Sequence, residues 1–225
     1  MHEEAIRLLA ARIFHPWEGG EGKTLGQYVL AHVELAKASL AKQQYADAEK
    51  LLKHALDNPE NLGEAKLAGA QENNVYYYLG CALEGLGRMD EALAAWKAAS
   101  QGLEDPASAM YYNDQPPEMI FYQGLAWLKL SSEKEAKRRF NKLITFAEKH
   151  IFDDVKIDYF AVSLPDFLVF EDDLNKRSVI HCRFMRGLGL LGLGRLAEAA
   201  EQFQLAVGLD CNHQGALIHK QLTKH

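Results

Sequence analysis

No stretch of these 225 residues approaches the roughly 20 consecutive apolar residues that a membrane-spanning helix requires. The amino terminus also lacks the basic start, apolar centre and small-residue cleavage site of a secretory signal. Cysteine is scarce. Cys81, Cys182 and Cys211 are an odd number in a chain long enough to bury a core, which argues against a disulfide framework and reads as reduced thiols in a cytoplasmic protein. There is no basic block either: 25 Lys and Arg against 31 Asp and Glu leave a net charge of -6, so nucleic acid is not an expected partner. Length alone admits one elongated domain or two compact ones.

What the sequence does have is an internal repeat. Four segments pair a small residue with a bulky one four positions on, which places both on one helical face: Ala48 with Leu52, Ala92 with Trp96, Ala136 with Phe140, and Ala199 with Phe203. The first three lie 44 residues apart and the fourth follows after 63, a surplus of 19 residues between the third and fourth units. Upstream of each pair runs a second helical pattern ending in a tight turn, clearest in Tyr76, Leu79, Gly80 and Leu83 before Gly87-Arg88. Gly80, Gly124 and Gly187, with Ala36 in the first unit, allow the first helix of each hairpin to approach the second, where Trp96 and Phe140 fill the space.

From Tyr76 to Trp96 the chain resembles the tetratricopeptide repeat family, with its aromatic, Leu-Gly, aromatic, then Ala and aromatic signature. The resemblance implies an all-α fold, a right-handed superhelical stack of tetratricopeptide-like helical hairpins (an α-solenoid). The period of 44 exceeds the family's usual ~34, and several units lack its closing proline. The surplus falls in linkers such as 60–73 and 105–118, expected to form short helices or ordered loops. The expected organisation is a single domain over 1–225: a half-repeat at 2–14, hairpins at about 24–58, 73–103, 117–150 and 176–208, an insertion at 151–175, and a capping helix at 212–224 begun by Asn212.

The half-repeat follows from Ala5 and Leu9, which keep the small-then-bulky spacing 43 residues before Ala48. Because terminal repeats need a polar outer face, it reads as the start of a piece cut from a longer chain. Segments 15–23, 111–119 and 157–175 resemble the carboxy-terminal region of a family of large bacterial proteins whose preceding part is similar to carbohydrate-active β-sandwich enzymes. That resemblance implies an accessory domain of a sugar-related protein.

The family's architecture implies that the first helices line a concave face. On it Tyr77, Phe121 and Phe184, with Val33 equivalent, form an aromatic stripe flanked by Asn74, Cys81, Glu84, Glu118 and His181. An open stripe would hold an extended peptide or stack against sugar rings; one covered by linker residues or the insertion would be ordinary core. The positions at which some family members hold a partner's terminal carboxylate carry Tyr77, Cys81, Phe121 and Leu125 here, which does not support tail recognition. The insertion packs Tyr159, Phe160, Phe167 and Phe170 between acidic runs, as a lid over the groove or a docking loop, with a helix restarting near Asp172.

Other motifs carry bland readings. Glu18 to Thr24 ends like a phosphate loop in Gly22-Lys23-Thr24, but Trp17 replaces the required first glycine and two glutamates would repel phosphate. His181-Cys182 and Cys211 with His213 lack the spacing of a structural zinc site. Glu18, Glu21, Asp166 and Asp173 are not brought together as a catalytic pair by anything in the sequence. The expected function is therefore a non-enzymatic protein-interaction or scaffolding domain without cofactor or metal. Its partner would be another domain of the same chain, an identical subunit or a separate protein. The alternative is an accessory domain completing a carbohydrate enzyme's active site through His15, Trp17 and Glu18 or the insertion.

Overall fold

The computed structural model describes residues 1–15, 20, 22–63, 70–108, 114–156 and 173–224. These form ten α-helices, two short 3-10 turns and no strand. In chain order the helices are α1 (His2–Ala10), α2 (Lys23–Ala41), α3 (Tyr45–Leu56), α4 (Asn73–Gly85), α5 (Met89–Ala99), α6 (Pro117–Lys129), α7 (Glu133–His150), α8 (Leu174–Gly192), α9 (Leu196–Leu209) and α10 (Gln214–Gln221). The chain folds as two compact units, Met1–Gln101 and Gly102–His225. None of the described helices is long and apolar enough to cross a membrane.

Four hairpins repeat one design: α2 on α3, α4 on α5, α6 on α7 and α8 on α9. Their turns are built alike. The chain reverses through a left-handed residue at Gln43, Gly87, Ser131 and Gly194, with φ of 59°, 75°, 59° and 75°. The amide of the next residue donates to a carbonyl five positions back: Gln44 to Ser39, Arg88 to Leu83, Ser132 to Trp127 and Arg195 to Leu190, each at 2.9 Å. The left-handed residue's own amide donates three positions back, Gln43 to Leu40, Gly87 to Glu84, Ser131 to Leu128 and Gly194 to Leu191, so two carbonyls that the helix end would leave orphaned are satisfied.

Within hairpins, glycine faces aromatic. A Cβ at Gly80 would stand 2.3 Å from the Trp96 indole nitrogen, one at Gly124 2.3 Å from Phe140, and one at Gly187 2.5 Å from Phe203. The three aromatics are fully buried, so each small residue is the hole into which its partner fits. The same device joins successive hairpins in a unit: Gly85 meets the Tyr45 ring and Gly192 meets Phe140.

In the first unit, α1 closes the stack through Leu9, packed with Tyr28 and Leu62 beside Phe14, Leu25 and Val29. Linker residues 60–62 form a 3-10 turn, and the Asn61 amide donates to the carbonyls of Leu9 and Arg12 at 2.8 Å each. In the second unit, residues 102–108 are an ordered loop. The Leu103 carbonyl accepts from Gln115 at 2.5 Å and Gln123 at 2.7 Å, and Glu104 pairs with Arg138, Arg139 and Lys142. Hydrogen bonds from Arg138 and then Lys142 hold the Glu104 carboxyl down at about 2.

The last helix departs from expectation. Its cap is His213, whose Nδ1 accepts from the Ala216 amide at 3.1 Å; the Asn212 amide instead donates to Asp210 at 2.9 Å, so the helix begins one residue later. α8 begins at Leu174 behind Asp173, whose carboxylate accepts from the Lys176 amide at 3.0 Å. Residues 157–172, with the aromatics of the expected lid, lie outside the described residues.

Candidate functional site

In the first unit, Tyr77 and Asn74 sit on α4, partly buried. The Tyr77 ring meets Tyr78 edge-on at 5.1 Å, its carbonyl accepts from the Trp96 indole at 3.2 Å, and burial, aided by Cys81 and Tyr78, pushes its hydroxyl upward. The Asn74 side-chain oxygen accepts from the Val75 amide. Its neighbour Asn73, which the periodicity did not single out, is buried and donates to the carbonyls of Ala99 and Gln101, tying α4 to the end of α5. A separate cavity of about 340 Å³ lies between α3, α4 and α5, lined by Tyr76, Leu79 and Leu83 among others. Its rim charges are spent on each other, since Arg88 pairs with both Glu49 and Glu91.

In the second unit, α6 and α8 pack side by side, and Phe121 on one and Phe184 on the other meet the same ring, His219. Both are closed from solvent, at 2% and 3% exposure, so neither belongs to an open stripe. The described cover is α10. Its His219 ring lies 5.7 Å from Phe121, 5.7 Å from Phe184, 5.9 Å from Tyr122 and 6.4 Å from Phe203, an aromatic cage around one imidazole. His219 Nδ1 donates to the Gly215 carbonyl at 2.8 Å, which leaves Nε2 to accept from the Tyr122 hydroxyl at 3.3 Å in the neutral ring. The His213 ring meets Phe184 at a tilt of 53° and 4.8 Å, and a Cβ at Gly215 would stand 2.7 Å from the tip of Phe184.

The other two expected site residues flank this cage in different ways. His181 on α8 donates from Nε2 to the Ala107 carbonyl at 2.9 Å, pinning the 102–108 loop, and burial lowers its pKa. Glu118, in the first turn of α6, is partly buried, and desolvation pushes its carboxyl upward. Sequence reasoning placed α10 as a cover for the last hairpin and so missed His219. The signal was present: Gly215 and His219 repeat the small-then-bulky spacing of the repeats themselves.

The remaining candidates do not converge. Cys182 is buried, its thiol pushed up by that burial, Cys211 is exposed, and all three cysteines are free. His213 is committed to its cap, and among the described residues no three His, Cys, Asp or Glu side chains gather as metal ligands would. Asp173 caps α8. Trp17, Glu18, Glu21 and Asp166 lie outside the described residues, while Lys23 and Thr24 open α2 behind Gly22, which has φ of 76°.

No known protein-family profile matches the chain. Among solved structures it is similar to MamA from Desulfovibrio magneticus RS-1, at 15% identity over 87% of this chain and 83% of that one, with a TM-score of 0.30. It is similar to MamA AMB-1 at 19% identity over 90% and 82%, with a TM-score of 0.28. It is also similar to YrrB, described as a TPR protein with an unusual peptide-binding site, at 16% identity over 88% and 82%, with a TM-score of 0.29.

Proposed function

We infer that this chain is a non-enzymatic protein-binding scaffold that acts through the first helices of its hairpins: Tyr77 and Asn74 on α4, Glu118 and Phe121 on α6, and His181 and Phe184 on α8. One observation carries the reading. The short helix α10, packed along α9 and α8, already seats its His219 ring between Phe121 of α6 and Phe184 of α8, the way a groove takes an anchor side chain of a partner helix. The rigid glycine–aromatic packing beneath supplies the fixed shape that such recognition needs.

A peptide-display selection on the purified chain tests this. Selected peptides should bind saturably and lose roughly tenfold or more in affinity against Tyr77→Ala, Asn74→Ala or Glu118→Ala according to the unit they occupy, with helical content unchanged. Peptides that bind all three variants as tightly as the parent would put the binding surface elsewhere. Phe121→Ala and Phe184→Ala are unsuitable probes, because truncating such buried rings costs about 3 to 5 kcal/mol of stability by itself.

A further inference from the structure

α10 packs along α9 and against α8 and so closes the last hairpin, but its His219 ring reaches further, to Phe121 on α6. α10 spans eight residues, and a helix so short does not persist alone in water, so its order comes from the surface it rests on. Of its eight residues Ala216 and His219 are buried and Gly215, Ile218 and Lys220 half-buried, while Gln214, Leu217 and Gln221 face solvent. A helix this short, held by one buried face, can open without unfolding the hairpins beneath it. The fit is nevertheless specific. Gly215 lets the backbone approach Phe184, and the His219 ring fills the space between Phe121 and Phe184 with both nitrogens bonded.

We propose that α10 is a displaceable ligand in cis. The α6–α8 face takes a helical segment of a partner protein that carries a small residue followed four positions later by a flat ring side chain, and α10 occupies that place until such a segment replaces it. The proposal rests on the reading of this face as protein-binding and adds to it both a recognition rule and a means of control. An occupied groove reports a weakened apparent affinity, because only the fraction of molecules with α10 released can bind.

The test uses the full chain and a fluorescent peptide of residues 211–224. Gly215→Leu drives α10 against Phe184, and His219→Ala removes the caged ring while leaving the backbone able to form α10. Circular dichroism establishes that α6 to α9 remain folded; should Gly215→Leu disturb them, His219→Ala carries the test alone. The peptide should bind the variants about tenfold or more tightly than the parent chain, and a peptide with His219→Ala should not bind. Folded variants that ignore the peptide, or a parent chain that binds it equally well, overturn the proposal. Display-selected peptides titrated in parallel separate the two readings. If they bind where the 211–224 peptide does not, only the proposal about α10 fails; if the 211–224 peptide alone binds, α10 is a ligand of the groove and foreign recognition fails.

Discussion

At Gly124 the missing Cβ is the space occupied by Phe140 at 2.3 Å, and Gly124→Leu should overpack the hairpin and cost about 1 to 3 kcal/mol in a urea melt. This pairing was legible in the sequence because small-against-bulky spacing repeats with a fixed period. Gly85 against Tyr45 and Gly192 against Phe140 were not, since contacts between successive hairpins leave no local periodicity. The turns give the opposite kind of site. Ser131 holds φ of 59° where its equivalents Gly87 and Gly194 are glycine, so Ser131→Gly should raise stability by up to about 1 kcal/mol, read as a higher denaturation midpoint. The reversal near 131 was visible as a repeat position, but the strain was not, because serine hides the left-handed conformation that glycine advertises.

Among the elements, the 102–108 loop and α10 show where local pattern gives out. Both are fixed by distant side chains: Glu104 by Arg138, Arg139 and Lys142, Ala107 by His181, and α10 by the rings on α6, α8 and α9. The Glu104 carboxyl, held at about 2 against an ordinary 4.5, contributes stability that is fully present above 4.5 and is lost as pH falls toward 2. Glu104→Gln should therefore cost on the order of 1 kcal/mol near neutral pH, the modest value reflecting partial exposure to water. Its stability should also decline less than the parent's between pH 4.5 and 2, checked by denaturation at each pH.

For the whole molecule, buried and half-buried imidazoles set a second pH window. His32 in the first unit and His181 and His213 in the second all have pKa values lowered from 6.5, in each case mainly by burial. Above 6.5 both folded and unfolded chains hold them neutral. As pH falls below 6.5 the unfolded chain gains protons that the folded chain refuses, so stability should drop from there downward. His213→Asn, which keeps a capping side chain, should flatten the drop in urea midpoint below pH 6.5. The hairpin architecture was readable from composition and period, because four units share one solution to close packing. The candidate site was readable only in part: the positions on α4, α6 and α8 followed from the repeat, but the His219 ring that meets Phe121 and Phe184 comes from a helix outside it.

The central claim, that a partner helix and α10 compete for the α6–α8 face, is tested most directly by amide hydrogen exchange on the intact chain with and without a saturating display-selected peptide. The account predicts that residues 214–221 lose protection when the peptide binds while α9 keeps its own. Binding that leaves residues 214–221 as protected as before would contradict it.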